Sequence, residues 1–293
     1  MHTNGSLGLA QSYEEETLLR EFFDEKSDDL DGLNWVDKNQ LISRYPAVHK
    51  NVRCGLFNPL DASINSREAI ESLAAFLSEY YKVKFHYSTS VVHVETSQIY
   101  SSSNSWHADV IFICPGSDYQ TLKESLLGEH ELTLCQLQMM KTQPINTLLN
   151  YPALYSGLSM LQYQSFHTLP SFKSFYEYFL MQYPKYLSCG IHVLIAQNNY
   201  GELIIGDSHE YSQDPDGFFK EEIKNWILDY TRTMIDVPKF SIKETWLGIY
   251  SISPDGIHIK SPIEDVHVIT GFGGKGMTTS FSIAEQYVTK IFQ

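Results

Sequence analysis

Apolar residues recur at helical spacing in some stretches of this chain and in short continuous runs in others. Ser12 and Glu15 form an S-x-x-E capping box. It predicts a helix through about Lys26, with Leu18, Leu19, Phe22 and Phe23 on its buried side. An acidic turn at 27–34 follows, without the ligand order of a calcium loop. Asn65 or Ser66 caps a second helix, whose Ile70, Leu73, Ala74, Leu77 and Tyr81 fall at core spacing. Short strands are predicted at 83–87, 90–95 and 98–101. The run 109–114 is apolar throughout, as in a central parallel strand covered on both faces. A Pro115-Gly116 turn and a helix near Tyr119–Leu127 come next.

From about 132 to 250 the pattern changes. Strand-like runs at 132–141, 154–163, 191–197, 202–211 and 240–250 are long and partly alternating, as in a mixed or antiparallel sheet. Helices near 171–182 and 217–235 interrupt them; Phe219, Ile223, Trp226, Ile227 and Tyr230 give the second its apolar face. The last stretch returns to buried strand, glycine turn and helix. The expected fold class is therefore α/β combined with α+β: a discontinuous nucleotide-binding domain with a mixed or antiparallel substrate domain threaded through it. The pieces are expected at 1–60 (substrate-domain piece and connection), 61–130 (nucleotide-binding), 131–250 (substrate domain) and 251–293 (nucleotide-binding again).

Composition narrows the partners. Against 21 basic residues stand 35 acidic ones, a formal charge of -14, which argues against a general nucleic-acid or anionic-membrane surface. The four cysteines are widely spaced without a C-x-x-C pair, so neither zinc nor a disulfide framework is expected, and a reducing cytoplasm fits. Cys114, inside VIFIC, reads as a buried small hydrophobe. There is no signal-peptide pattern at the polar start and no apolar run of membrane length.

The candidate chemistry concentrates in DVHVITGFGGKGMTTSFSIAEQY (265–287). A β-rich run breaks into Gly271, Gly273, Gly274 and Gly276, and Met277-Thr278-Thr279 lead into an amphipathic helix. Such a turn brings backbone N–H groups and the positive end of the helix dipole against an acceptor group.

Six blocks carry a wider likeness: GSLGLAQ (5–11), ADVIFICPGSDY (108–119), GIHVLIAQ (190–197), GELIIGDSHEY (201–211), ETWLGIYSISPDG (244–256) and GFGGKGMTTSFSIAEQ (271–286). In these the chain resembles the FAD-dependent amine and amino-acid oxidoreductases related to glycine oxidase, sarcosine oxidase and D-amino-acid oxidase, and within them a subgroup associated with aminophosphonate breakdown. The resemblance implies FAD in an extended pose, with Val92 at the adenine side and Pro115 and Gly116 by the dinucleotide. Gly273, Gly274, Gly276, Met277 and Thr278 would then face the pyrimidine edge of the flavin. It also exposes a departure. The family opens with a strand and a G-x-G-x-x-G turn that grips the pyrophosphate. The first matching block here already sits at residue 5, so that βαβ unit has no counterpart.

Two further blocks hold candidate site residues. At the end of the 202–211 strand, Asp207, His209 and Tyr211 share one face. His209 is the candidate proton acceptor, with Asp207 and Tyr211 toward substrate. In 244–256, Tyr250 stands where glycine-oxidase-like relatives carry a carboxylate-gripping arginine. Relatives that tether flavin do so through a cysteine near Gly248, so FAD is expected to be non-covalent. Tyr250, as a catalytic candidate, with Ser251 and Lys275 as substrate ligands, offers hydroxyl and ammonium donors to a phosphonate. His192 reads as a core histidine, and no histidine pair has metal spacing. The implied activity is oxidation of a C–N bond in a small amine, such as an aminophosphonate, to an imine that hydrolyses, with oxygen as electron acceptor. The alternative is a non-catalytic remnant, or an interaction subunit that no longer binds FAD alone.

Overall fold

The computed structural model describes residues 1–118, 120–122, 126, 132–145, 150–237 and 241–293. The chain divides into two compact units, each assembled from three separate stretches. One comprises Met1–Val83, Leu137–His209 and Phe218–Leu247; the other comprises Lys84–Gln136, Glu210–Gly217 and Gly248–Gln293.

The larger unit is built on a mixed sheet. From the part of Thr133–Pro144 that lies in this unit, the strands run Glu202–Gly206, Leu194–Gln197, Ala153–Ser156, Ser6–Ala10, Cys54–Asn58 and Asn34–Asp37. Only Ser6–Ala10 against Ala153–Ser156 is parallel; the other pairs are antiparallel. Every residue of Ser6–Ala10 is buried, as a strand covered on both faces requires. Helices Tyr13–Lys26, Phe172–Gln182 and Glu221–Met234 supply apolar stripes. Leu18, Leu19, Phe175, Phe179, Ile223 and Ile227 join Leu7, Leu9, Leu203 and Ile205 in one core.

The capping box at Ser12 and Glu15 forms as the spacing predicts. Its glutamate does more than cap. Glu15 is buried, and its Oε2 accepts the amides of Gln11 (2.8 Å) and Ser12 (2.7 Å) while Oε1 accepts that of Gly157 (2.9 Å). A Cβ at Gly157 would lie 2.1 Å from Phe179 Cζ and 2.4 Å from that same Oε1, so only glycine lets the two segments meet.

The smaller unit holds two three-stranded sheets. One orders His258–Ile263, Val266–Thr270 and Ile111–Ile113, the last two parallel; the other is a meander of Val91–Glu95, Gln98–Ser101 and Ser105–His107. Val94, Ile111, Leu126, Leu132, Leu134, Val266 and Val268 form its core. Helix Gly276–Phe292 closes the chain. No helix among the described residues is long and apolar enough to cross a membrane.

Several expectations are corrected. Residues 83–87 form no strand, and the run 154–163 is a strand only over Ala153–Ser156 before turning into helix Gly157–Met160. The apolar run 109–114 pairs only over Ile111–Ile113, at the end of its sheet, with Phe112 37% exposed instead of covered on both faces. Cys114 is exposed. Helix Ser66–Tyr81 forms, but none of its residues is buried; Ile70 and Tyr81 stand exposed because no described element covers the stripe. The helix expected near Tyr119–Leu127 falls mostly outside the described residues.

Glu15→Ala would leave the buried Gly157 amide and the half-buried amides of Gln11 and Ser12 without this acceptor. A loss of about 3 kcal/mol of unfolding free energy is expected in urea denaturation. A change below about 1 kcal/mol would show that water substitutes for the carboxylate.

Candidate active site and cofactor loop

In the larger unit, strand alternation sends Leu203 and Ile205 into the core and turns Glu202 and Ile204 the other way. Lys141 lies opposite Ile204 in the ladder and shares that face. The face borders a cavity of about 310 Å³ whose lining includes His2, Arg67, Lys141, Tyr200, Glu202 and Trp246. Its wall is a chain of ion pairs. Lys141 Nζ lies 3.0 Å from Glu244 Oε1 and 3.3 Å from Glu202 Oε2, and Lys243 Nζ meets Glu202 Oε1 at 2.5 Å. Arg67 donates to Glu244 Oε2 at 2.9 Å, and its guanidinium lies 5.2 Å from the Trp246 ring centroid. Asn198 donates to Glu202 at 2.9 Å, and Tyr200 to Glu68 at 2.8 Å. The Lys243 ammonium and the Asn198 amide hold the Glu202 carboxyl down at about 2, despite its burial. The Glu244 carboxylate raises Lys141, which therefore stays charged. His2 Nε2 is buried with no hydrogen-bond partner. Sequence reading passed over these residues. The one available signal was a lysine ending the alternating run LQMMK, because a charge in a mostly buried strand must have a partner.

The expected face of Asp207, His209 and Tyr211 does not form. The strand stops at Gly206, and a separate strand, Glu210–Ser212, begins beyond His209. The pairing slips by one residue against the same neighbouring segment, from Leu194 opposite Gly206 to His192 opposite Asp207: the Asp207 amide donates to His192 O at 2.5 Å, the His192 amide to Asp207 O at 3.0 Å, and the His209 amide to Cys189 O at 3.0 Å. Tyr211 is 58% exposed and belongs to the smaller unit by its place in the chain. Asp207 and His209 instead gather with His192. Asp207 Oδ1 lies 2.5 Å from His192 Nε2, and the two imidazole centroids are 4.5 Å apart. His192 is buried as expected, but in a polar cluster. His209 Nδ1 lies 3.0 Å from Gly190 O and so carries the proton, leaving Nε2 as the basic nitrogen. Burial holds the ring below its ordinary value of 6.5. Gly190 sits at φ +55°, and a Cβ there would lie 2.8 Å from His209 Cβ.

In the smaller unit, the turn after Ile111–Ile113 is pinned at one atom. The Gly116 carbonyl accepts the hydroxyls of Ser251 (2.7 Å) and Thr270 (3.0 Å). Ser251, expected beside substrate, is buried, with its hydroxyl engaged on the turn. Strand Val266–Thr270 runs into Gly271, Gly273 and Gly276, a G-x-G-x-x-G spacing that opens directly on helix Gly276–Phe292. No side chain caps that helix and no acidic residue sits in its first turn. Gly116 (φ +63°) has nothing within 4 Å of an added Cβ, and Gly273 (φ +62°) only Ile252 Cγ1 at 3.7 Å. The Tyr250 hydroxyl lies 3.5 Å from the Cβ position of Gly274. Lys275, Met277 and Thr278 are exposed, as is Val92 at 52%. Pro115 lines a second cavity, of about 460 Å³, with Val91, Ile111 and Ile113.

Residues 1–289 match the family described as FAD dependent oxidoreductase. The chain belongs to that family. Solved structures carry the same fold: glycine oxidase from Bacillus cereus (TM-score 0.74, 14% identity, covering 97% of this chain and 71% of that one) and iminodiacetate oxidase from Chelativorans sp. (0.70, 12%, 94% and 68%). L-α-glycerophosphate oxidase from Mycoplasma pneumoniae with FAD bound is a third (0.68, 12%, 97% and 71%). No protein with a curated description matches this sequence. The two-unit arrangement of mixed and antiparallel sheets with helices is the fold of the family. The glycine loop fits the cofactor: left-handed glycines open on space a Cβ would fill, ahead of a helix end that no side chain caps.

Glu202 is held below its unfolded value of 4.5, so its contribution to stability is complete above that pH and is lost as pH falls toward 2. Glu202→Gln is expected to lower Tm at pH 7 and to flatten the acid limb of the stability curve. A variant whose acid limb matches the parent would exclude the ion-pair wall as its source.

Proposed function

We propose that this chain oxidises a C–N bond of a small amine, with a small aminophosphonate as the favoured substrate class. When bound, FAD supplies the two-electron acceptor for forming an imine, which water hydrolyses; oxygen takes the electrons in turn. The observation that carries the reading is the loop 271–279, where glycine spacing, left-handed backbone and an uncapped helix of 17 residues coincide in a chain of this family. Gly273, Gly274, Gly276, Met277 and Thr278 would hold the pyrimidine edge by backbone amides, while Pro115, Gly116 and Val92 would border the rest of the cofactor. FAD is held without a covalent bond.

The remaining roles fall to side chains. His209, neutral at pH 7, accepts or positions the substrate proton at Nε2, with Asp207 beside it. Tyr250 and Lys275 offer a hydroxyl and an ammonium to an anionic substrate group, with Tyr211 offering a further hydroxyl toward substrate. The absence of an arginine at Tyr250, judged by the resemblance, favours phosphonate over a simple α-carboxylate.

Titrating FAD into the purified chain and following flavin fluorescence tests the loop. Quenching that saturates, and that Gly273→Val weakens at least tenfold, is the expected result. Bleaching of the bound flavin by a small aminophosphonate, and not by glycine, would then support the substrate class. No binding by the parent chain would favour the second reading, a remnant or interaction subunit.

A further inference from the structure

We propose that His192, Asp207 and His209 form a binding site for a divalent first-row transition metal, with Zn²⁺ as its working probe. One nitrogen of each imidazole and one carboxylate oxygen of Asp207 lie within 4.8 Å of one another. Two imidazoles and a carboxylate are a donor set suited to Zn²⁺ or Fe²⁺, with positions left for water.

The surroundings are those of a prepared site. His209 is oriented by its Nδ1–H bond to the Gly190 carbonyl, the outer contact that metal-bound histidines use to fix tautomer and ring direction. The backbone holding the donors is stitched together by reciprocal amide bonds between His192 and Asp207 and by the His209 amide on Cys189. Gly190 provides the close approach that brings its carbonyl to His209. An independent observation points to a ligand. His192 is 8% exposed, and Asp207 Oδ1, the oxygen turned toward it, is buried with no hydrogen-bond partner, a deficit that a cation bound between the donors would answer. In the apo arrangement Asp207 closes directly on His192; a metal between them requires that contact to open to the spacing of donors around one ion.

The site has a consequence for the chemistry above, and that consequence rests on the reading of His209 as proton acceptor. Metal at Nε2 takes the basic nitrogen, so the loaded chain would lack that base. Binding itself is independent of that reading and is measured without turnover.

The test uses the full chain stripped with EDTA. Zn²⁺ is titrated in competition with a chromophoric chelator, and Co²⁺ is added separately to look for a visible ligand-field band. One equivalent per chain is expected, with His209→Gln and Asp207→Asn each binding more than about tenfold more weakly and the exposed His167→Gln unchanged. Should the variants lose their far-UV circular dichroism, the parent chain decides: Zn²⁺ must protect His209 from diethyl pyrocarbonate. Absence of stoichiometric binding, undiminished binding by folded His209→Gln and Asp207→Asn, or modification of His209 unaffected by Zn²⁺ would overturn the site.

Discussion

The larger unit depends on one buried carboxylate. Glu15 gathers the amides of Gln11, Ser12 and Gly157, joining the end of strand Ser6–Ala10, the start of helix Tyr13–Lys26 and the turn after Ala153–Ser156. Those two strands are the parallel pair of the sheet, so the contact braces the place where the ladder changes sense. Backbone donors surround the carboxyl, yet burial outweighs them and raises it from 4.5 to about 7. Phe179 then packs so close to Gly157 that nothing larger than glycine fits.

From that sheet the polar chemistry of the unit emerges by alternation. Leu203 and Ile205 face the core, so Glu202 must turn away from it, and Lys141 comes with it through the register. Once both are placed in a largely dry wall, each charge needs a neighbour; Lys243, Glu244 and Arg67 supply them. The smaller unit solves a different problem. It anchors the Gly116 carbonyl with two buried hydroxyls while leaving the α-carbons of Gly116 and Gly273 uncovered. Ser251 supports the turn through its hydroxyl on the Gly116 carbonyl.

The exposed stripes fit the same account. Helix Ser66–Tyr81 carries an apolar face that forms but is not buried, and Ile111–Ile113 stands at the end of its sheet with a parallel neighbour on one side. Periodicity specifies that a face is apolar; it cannot specify what covers it.

By itself, the sequence determined the local elements whose rules are local. The capping box at Ser12 and Glu15, the helix beginning near Phe172, the amphipathic helix of Ile223, Ile227 and Tyr230, and the strand–glycine–helix passage at 266–292 all follow from spacing and capping. The ordered blocks also carried the family. Tertiary structure alone decided the rest. His192 reads as one more apolar-strand residue until register sets it beside Asp207 and His209. The predicted face of Asp207, His209 and Tyr211 fails because the strand stops at Gly206 and the pairing with the segment before Gln197 slips there by one residue. Arg67, Lys141, Glu202 and Glu244 are far apart in sequence and meet only because strands and a helix end converge on one cavity. Contacts between residues so distant have no local signature, since the chain's periodicity records which face a side chain takes and not whom it meets there.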